Sequence, residues 1–291
     1  MMILIADSGS TKTAWCLLDK ETKEKMYVAT QGINPFQQSE EAICGILQGE
    51  LMSELTVKHV DPDQIEAIFF YGAGCTKEKS PVVATALRKT VSNSARICVE
   101  SDMLGASRGL CGRQPGIVCI LGTGSNSCYY NGRDNVANVS PLGYILGDEG
   151  SGAYIGKRLA GDVLKRQMPE EVCQLFYEET HETQASIIQK VYREPMPNRF
   201  LASLSPFCAR HREMEAIHAL LIDSFSQFFK RNIDQYEKLV GEGDFTTVHF
   251  VGSIATYYEK ELREAAKGCG YCVGNIMQGP LEGLVAYHDE S

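Results

Sequence analysis

The polar loop Asp7-Ser8-Gly9-Ser10-Thr11-Lys12-Thr13 decides the fold, because it separates two apolar, strand-like runs at positions 2–6 and 14–18. A second loop of the same kind, Gly122-Thr123-Gly124-Ser125-Asn126-Ser127, follows the apolar run 117–121 and precedes 128–130. Each pattern predicts a hairpin whose tip presents backbone N–H and hydroxyl donors, and glycine lets the backbone approach a bulky anion. One such loop is typical of an ordinary hairpin, whereas two of them indicate a clamp on one polyphosphate.

Spacing excludes two other phosphate-binding motifs. A P-loop requires Gly-Lys-Ser/Thr followed at once by a helix. Here Ser10 and Thr11 separate Gly9 from Lys12, and a strand-like run follows. Neither loop has the G-x-G-x-x-G spacing that opens a helix, so a dinucleotide-binding fold is disfavoured.

Composition favours a cytoplasmic protein of two domains. The chain has 291 residues, of which 44% are hydrophobic and 22% charged, enough for two cores. No apolar run approaches the roughly 20 residues of a membrane span, and the first residues lack the basic start and apolar length of a signal peptide. The net charge of -9 disfavours a nucleic-acid binder, which needs a basic surface. Local positive groups and Mg²⁺ must therefore balance the charge of a bound nucleotide.

The cysteines indicate reduced thiols. There are 11, an odd and scattered set, which is not typical of a disulfide framework. Cys269-Gly270-Tyr271-Cys272 is a lone C-x-x-C without a second pair at zinc spacing. We interpret it as small residues around a short strand, with a metal or redox role as the alternative.

Hydrophobic periodicity predicts two α/β units joined near 111–116, where glycine and proline suit a hinge. We therefore expect an N-terminal domain at 1–112 and a C-terminal domain at 113–291. Whether the last helix packs back on the N-terminal domain is left open. The first unit is predicted to have strands at 3–6, 14–18 and 25–30, a helix at 40–54, a strand at 65–71, a helix at 81–92 and a strand at 96–99.

The second unit restarts the same order and then departs from it. Strands are predicted at 117–121, 127–130 and 136–139, and a strand at 246–251 and helices at 255–266 and 279–288 complete the unit. The region of about 152–240 is predicted to be helical. Within it one apolar stripe, which we interpret as core packing, consists of Ile217, Leu220, Leu221, Phe225, Phe228 and Phe229.

In this order the motifs resemble the actin-like ATPase and sugar-kinase superfamily. Val251-Gly252-Ser253-Ile254 resembles its adenosine-binding turn. Gly32-Ile33-Asn34, Ser101-Asp102 before the helix 103–110, and the tract 142–151 are similar to the N-acetylglucosamine kinase branch, which is grouped with the activator ATPases of 2-hydroxyacyl-CoA dehydratases. The resemblance implies an α/β fold of two ribonuclease-H-like (actin-like ATPase) domains with a nucleotide cleft between them and a helical insertion in the second.

The same resemblance implies a site for ATP and Mg²⁺. Asp7 would orient Mg²⁺ directly or through water, although the residues alone also allow it to cap the Ser/Thr turn. Lys12 would neutralise phosphate or remain solvated. The remaining residues that the resemblance assigns to the nucleotide are Ser8, Gly9, Ser10, Thr11, Thr13, Gly122, Thr123, Gly124, Ser125, Gly252 and Ser253.

Asp102 is the residue that the resemblance assigns to catalysis. Its spacing alone favours a helix N-cap. By resemblance it is the general base that takes the proton of a sugar hydroxyl during phosphoryl transfer. Met103-Leu104 stand where relatives often carry alanines, a departure that puts the pocket shape in doubt.

The sugar would be bound from both domains. Asn34 and Asp148 would bind its hydroxyls, although paired carboxylates such as Asp148 and Glu149 in a glycine-flanked turn are by default exposed to solvent. Gly147 would permit close backbone approach, Asn126 would support the loop or the sugar, and Gly72 would end a strand that points into the cleft or simply make a turn.

The resemblance thus implies an ATP-dependent kinase of an amino sugar, with N-acetylglucosamine and its 6-phosphate as the leading substrate and product. One alternative is the dehydratase activator, but the cysteine ligands that its iron–sulfur cluster requires are missing and Cys119 lies within a predicted strand. Another is a regulatory protein that uses nucleotide as a switch, against which Asp102 and Asp148 argue. The sequence fixes neither the sugar nor the oligomeric state, although related proteins often form homodimers.

Overall fold

The computed structural model describes residues 1–9, 11–241, 243 and 245–290. Ser10, which is predicted to belong to the first phosphate loop, lies outside the described residues. The chain divides into two compact units. The first comprises Met1–Gln114, Gly132–Asp134 and the C-terminal segment from Gly279, and the second comprises Pro115–Asn131 and Asn135–Gln278.

The first unit is built on a five-stranded mixed sheet of order β3-β2-β1-β4-β5. β1 pairs antiparallel with β2 and parallel with β4, and β4 pairs parallel with β5. In this register Ser8 lies opposite Gly72, and Gly72 lies opposite Ser101, so three chain segments end at one edge of the sheet. The strands are β1 (Met2–Ser8), β2 (Lys12–Asp19), β3 (Lys25–Gln31), β4 (Ile65–Gly72) and β5 (Arg96–Ser101).

Helices cover both faces of this sheet and bury its apolar core. Two glycines bring α4 and α15 into near contact, since a Cβ at Gly109 would lie 2.7 Å from the carbonyl oxygen of Pro280 and one at Gly283 would overlap the carbonyl of Gly109. The predicted helix 40–54 contains a π-helical turn, Leu47–Leu51, that buries both its terminal leucines. The helices are α1 (Glu40–Ile46), α2 (Met52–Val57), α3 (Ser80–Thr90), α4 (Asp102–Cys111) and, near the C-terminus, α15 (Leu281–Asp289), with a 3₁₀ turn at Pro62–Gln64.

The second unit repeats the same sheet topology. Its order is β10-β9-β6-β7-β8, which is the order of the first sheet when each strand is replaced by its counterpart. The two five-stranded α/β sheets confirm the fold that the repeated element order predicts. The strands are β6 (Pro115–Leu121), β7 (Ser125–Asn131), β8 (Asn135–Val139), β9 (Thr247–Val251) and β10 (Cys272–Met277).

Between β8 and β9 the chain is helical, as predicted. The apolar stripe of α11 is buried, and the rings of Phe228 and Phe229 lie 6.2 and 6.0 Å from that of Phe250 on β9, which confirms core packing. The inserted helices are α5 (Gly143–Leu146), α6 (Gly152–Leu164), α7 (Glu170–Thr180), α8 (Gln184–Tyr192), α9 (Pro197–Ser203), α10 (Ser205–Arg210), α11 (Glu215–Arg231) and α12 (Tyr236–Val240), with a 3₁₀ turn at Ile233–Gln235.

The helix predicted at 255–266 is two helices, α13 (Ser253–Tyr257) and α14 (Glu259–Gly268). The break falls at Tyr258, a fully buried residue whose hydroxyl donates to the carbonyl oxygen of Ser205 at 2.5 Å. Among all the helices in the described part of the chain, none is long and apolar enough to cross a membrane.

Candidate active site

Two carboxylates lie at the edge of the first sheet where β1, β4 and β5 end. Asp7 is the penultimate residue of β1, and Asp102 opens α4 directly after β5. Both side chains are half-buried. Burial, and then the charge of Asp102, raises the pKa of Asp7 to about 7, and burial also raises the pKa of Asp102. The pair therefore forms a negatively charged site that a cation or a proton stabilises.

Asp102 is not the cap of α4. The cap is Ser101, whose Oγ accepts a hydrogen bond from the Leu104 N–H at 3.2 Å. The helix-cap interpretation of Asp102 is therefore wrong, because the adjacent serine already satisfies that donor. The Asp102 Oδ1 accepts a short-range bond from the Met103 N–H, at 2.8 Å. A carboxylate that the helix does not need thus lies at the sheet edge.

The first hairpin is fastened by its own hydroxyl groups. Ser8 Oγ and Thr13 Oγ1 share a hydrogen bond of 2.7 Å, and both residues are buried. Ser8 Oγ also donates to the carbonyl oxygen of Ile33 at 3.0 Å and accepts from the Ile33 N–H at 3.1 Å. At the tip, Gly9 N–H donates to the carbonyl oxygen of Lys12 at 3.0 Å, and Lys12 is exposed. The hydroxyls of Ser8 and Thr13 therefore join the hairpin to the segment that carries Asn34.

Asn34 lies beside the chain that leaves β4. It is 8% exposed, and its Oδ1 accepts a hydrogen bond from the Phe36 N–H at 3.0 Å. Gly74 has a φ of 78°, and a Cβ at this position would overlap Asn34 Oδ1. Gly72 is required by packing, because a Cβ there would lie 2.5 Å from the ring of Phe70. The left-handed backbone at Gly74 thus lets the chain after β4 pass directly beside the Asn34 side chain.

In the second unit, the loop between β6 and β7 is oriented by the start of α6. The Gly152 and Ala153 N–H groups donate to the carbonyl oxygens of Gly122 and Thr123 at 2.9 and 3.0 Å. These two bonds occupy carbonyl oxygens of the loop and leave its N–H groups unengaged by α6. The N–H groups of Thr123 and Gly124 have no acceptor within the described part of the chain. A loop of this kind suits an anion, which accepts from backbone N–H groups.

Asp148 closes the same loop from the side. Its Oδ1 accepts from the Ser125 N–H at 3.3 Å, and a Cβ at Gly124 would lie 3.0 Å from its Oδ2. Asp148 adopts a left-handed φ of 55°, and Gly147 before it is held so close to Pro141 that a Cβ would overlap the Pro141 carbonyl oxygen. This geometry places Asp148 against the second loop.

Asp148 and Glu149 are only 8% and 4% exposed, so the default of solvent exposure is wrong for both. Glu149 Oε1 pairs with Arg231 Nε at 2.8 Å, and its Oε2 accepts from Asn232 Nδ2 at 3.4 Å. Burial raises the pKa of Asp148, the Ser125 N–H lowers it, and the charge of Glu149 raises it further. Glu149 is thus a structural acid, whereas Asp148 keeps acceptor capacity.

Lys157 on α6 is a residue that sequence reasoning missed. Its Nζ donates to the carbonyl oxygen of Tyr144 at 2.6 Å. Burial lowers the pKa of Lys157, while the charges of Glu149 and Asp148 raise it. No short motif marks this lysine, because the fold rather than the sequence brings it to the two acids.

The predicted adenosine turn lies against the end of β6. Gly252 has a φ of 120°, and a Cβ there would overlap the carbonyl oxygen of Leu121, the residue before the second loop. Ser253 opens α13. Asn126 Oδ1 accepts from the Ser127 N–H and from Asn138 Nδ2, both at 2.9 Å, which stabilises the hairpin. The second loop and the Gly252 turn are therefore adjacent.

The cysteines are all free thiols, and Cys272 is exposed. Within the residues that the structure describes, no group of three or more His, Cys, Asp or Glu side chains is arranged to hold a metal ion. A site for Mg²⁺ would accordingly depend on Asp7 together with ligands from a nucleotide and water.

Comparisons with known proteins place the chain in a defined context. The sequence pattern of the BadF/BadG/BcrA/BcrD ATPase family matches residues 6–264. A crystal structure from Porphyromonas gingivalis, of a protein provisionally called an N-acetylglucosamine kinase, is 46% identical over 100% of this chain and 99% of that chain, with a TM-score of 0.90.

Two more distant proteins are also similar. The N-acetylmuramic acid/N-acetylglucosamine kinase of Clostridium acetobutylicum is 24% identical over 207 residues, which cover 68% of this chain and 67% of that protein. A ROK family glucokinase from Streptomyces griseus, solved with glucose and AMPPNP, is 16% identical over 100% of this chain and 99% of that chain, with a TM-score of 0.61. At this identity the glucokinase shows a shared fold only.

Proposed function

Because the chain belongs to the BadF/BadG/BcrA/BcrD ATPase family, we propose that it is an ATP-dependent kinase of an amino sugar, with N-acetylglucosamine as the leading substrate and its 6-phosphate as product. The observation that carries this proposal is the half-buried Asp102 carboxylate at the sheet edge, which α4 does not need as a cap. The names of the similar proteins from Porphyromonas gingivalis and Clostridium acetobutylicum support the substrate class.

Each unit contains a hairpin loop that suits the phosphates of a nucleotide. In the first unit the hairpin tip at Gly9, Thr11 and Lys12 would meet the phosphates. In the second, the N–H groups of Thr123 and Gly124 would bind phosphate oxygens, and their lack of acceptors within the described chain supports this fit. Ser253 and Gly252 would hold the adenosine.

Asp7 would hold Mg²⁺, directly or through water. Its fit rests on burial and on the neighbouring charge of Asp102, which together raise its pKa to about 7. A carboxylate in this state gains from an adjacent cation. When bound, Mg²⁺ would supply positive charge that offsets the charge of the phosphates.

Asp102 would act as the general base. As the sugar 6-oxygen forms its bond to the γ-phosphorus, the carboxylate takes the proton of that hydroxyl, and the bond to the β–γ bridging oxygen breaks to release ADP. The raised pKa of Asp102 suits it to hold this proton. A helix N-terminus at Asp102 favours the anionic form between turnovers.

The sugar hydroxyls would be bound by Asn34 and Asp148, with Gly72 and Gly147 allowing close approach and Asn126 supporting the second hairpin. Asp148 suits this role because it is buried and its Oδ2 keeps acceptor capacity.

The 11 free thiols support a reducing, cytoplasmic location, and a homodimer is the expected assembly by resemblance.

The proposal is tested by ADP release over a panel of amino sugars and hexoses, followed by phosphorus and proton NMR of the product. We expect ADP release to depend on an amino sugar, with phosphate on its 6-oxygen. A Gly124→Val protein, prepared identically, controls for contaminating kinases. ATP hydrolysis that no sugar in the panel accelerates would contradict the proposal.

A further inference from the structure

A cavity of about 510 Å³ lies on the face of the first sheet that α4 and α15 cover. It is lined by alternate residues of β5, by Ala67 and Phe69 of β4 and by Tyr287 of α15. The lining runs along β5 from Arg96 to Glu100, the residue before Ser101, and no residue assigned above to nucleotide or sugar lines the cavity. Its volume falls within the range of small-molecule sites, about 300–1,000 Å³, and exceeds the needs of a bare ion.

The lining carries an excess of positive charge. Four cationic side chains, Lys20, Arg96, Arg108 and Arg113, face two acidic ones, Glu66 and Glu100. Within the described residues, none of the three arginines forms an ion pair with a carboxylate. In a protein with a net charge of -9, three guanidinium groups without a carboxylate ion pair in one cavity are a local exception.

Aromatic rings, rather than carboxylates, hold two of these arginines. The guanidinium carbons of Arg108 and Arg113 lie 5.3 and 4.8 Å from the ring centre of Tyr287. Arg108 Nη1 donates to Tyr71 Oη at 2.9 Å, and Tyr71 Oη bonds to His288 Nε2 at 2.8 Å. Aromatic partners hold the guanidinium groups in position but do not neutralise them. The groups therefore keep their positive charge and can bind an anion.

A second observation shows that the cations converge. His288 is buried and stacks on Phe69 at 3.7 Å between ring centres. Burial first, and then the charges of Arg108, Lys20, Arg113 and Arg96, lowers the pKa of His288 to about 3. The four cations of the cavity therefore act on one buried ring.

Arg108 also carries a buried donor without a partner in the described part of the chain. Its Nε has no hydrogen-bond partner among the described residues, although the side chain lines the cavity. Native proteins seldom leave a buried donor unpaired, and an acceptor oxygen supplied by a ligand is one way to satisfy it.

We propose that this cavity binds a small phosphate monoester, with the phosphate on Arg96, Arg108 and Arg113 and the organic part against Phe69 and Tyr287. Guanidinium groups bind phosphate oxygens in a forked geometry, and three of them suit a dianionic, tetrahedral group better than a carboxylate. The proposal does not depend on the kinase function, because it involves a separate set of residues.

Calorimetric titration of the full chain tests the proposal, with glycerol 3-phosphate as the probe and inorganic phosphate and acetate for comparison. The test variant is Arg96→Gln with Arg113→Gln, two exposed residues whose loss spares the Arg108–Tyr71 contact. Arg88→Gln is the matched control, because it removes one exposed arginine of the same unit that does not line the cavity. Thermal unfolding verifies that all variants are folded.

We expect the wild type and Arg88→Gln to bind glycerol 3-phosphate equally, more tightly than inorganic phosphate and far more tightly than acetate. The double variant should bind it at least about 10-fold more weakly, since each charged hydrogen bond lost has an effect of that order. Saturation with Mg²⁺ and AMPPNP should leave the binding unchanged. Affinity within about twofold of wild type in the double variant, equal binding of acetate, or displacement by the nucleotide would overturn the proposal.

Discussion

The β1–β2 and β6–β7 hairpins share one pattern and one topology, yet they are held in different ways. The β1–β2 hairpin is fastened by side-chain hydroxyls, Ser8 to Thr13 and Ser8 to Ile33, whereas the β6–β7 loop is fastened through its carbonyls to the start of α6. The first arrangement fixes the end of β1, directly after Asp7, to β2 and to the segment at Ile33. The second leaves the N–H groups of Thr123 and Gly124 directed to no acceptor in the described chain.

The acidic residues differ in the same sense. Glu149 in the second unit has Arg231 and Asn232 as partners, and Asp148 has the Ser125 N–H. In the first unit, burial instead raises the pKa of both Asp7 and Asp102, and the charge of Asp102 raises that of Asp7 further. The second unit thus balances its buried charge internally, while the first leaves negative charge that a cation or a proton would neutralise.

The largest effect is expected from Asp102→Asn, which keeps the size of the side chain and removes the proton acceptor. The kcat for the best sugar should fall by about 10²-fold or more, while the affinities for sugar and nucleotide stay nearly unchanged. Steady-state kinetics and calorimetry on one preparation measure both. Asp63→Asn, an exposed aspartate of the same unit, is the control. Turnover close to wild type would remove Asp102 from the mechanism and leave Asp148 as the next candidate.

Gly124→Val should weaken ATP binding by about 10²-fold. Its Cβ would lie 3.0 Å from Asp148 Oδ2, and its methyl groups would fill the space beside the loop N–H groups. Calorimetry measures the affinity. Gly161→Ala on α6 is the control, because a Cβ at that position meets no atom within 4 Å. Undiminished ATP affinity in a folded Gly124→Val protein would argue against the loop as a phosphate site.

Asp7 should make stability depend on pH. The pKa of this carboxyl is raised from 3.8 to about 7, so the folded state binds the proton more tightly than the unfolded state does. Stability from this group is therefore lost as pH rises from about 4 to about 7 and stays constant above. Without Mg²⁺, the free energy of unfolding of Asp7→Asn relative to that of wild type should rise by about 2 kcal/mol from pH 5 to pH 8. Urea unfolding at each pH measures it. An equal pH dependence in the two proteins would show that Asp7 titrates normally.

Arg231→Gln probes the balanced charge of the second unit. Removing the partner of buried Glu149 should cost about 1–2 kcal/mol, less than for a fully buried pair because Arg231 is 58% exposed. The free energy of unfolding in urea measures it. Lys230→Gln, the exposed neighbour on α11, should change stability by less than about 0.5 kcal/mol. Equal effects of the two substitutions would mean that Glu149 is not held by Arg231.

Local patterns predict the elements and loops of this molecule well. Each predicted strand of the two sheets is present within a few residues, because alternating apolar runs and glycine-rich turns are local signals. The same signals locate the hairpins and the Ser101-Asp102 turn. They also predict the α11 stripe, whose apolar positions recur at helical spacing.

Long-range packing accounts for what the sequence did not predict. Asn232 lies 83 residues from Glu149, and His288 lies 217 residues from Tyr71. No local pattern links such partners, so the burial of Asp148 and Glu149, the position of Lys157 and the arginine-lined cavity follow only from the fold. The break at Tyr258 has the same origin, since its hydroxyl bonds to Ser205, 53 residues away.

The magnesium dependence of nucleotide binding tests most directly whether the first unit leaves its negative charge for a cation. ADP is titrated into wild type, Asp7→Asn and Asp63→Asn by calorimetry, once with Mg²⁺ and once with EDTA. Wild type and Asp63→Asn should bind ADP at least about 10-fold more tightly with Mg²⁺, and in Asp7→Asn this gain should shrink to about threefold or less. The same magnesium gain in all three proteins would contradict the assignment of Asp7 to the metal.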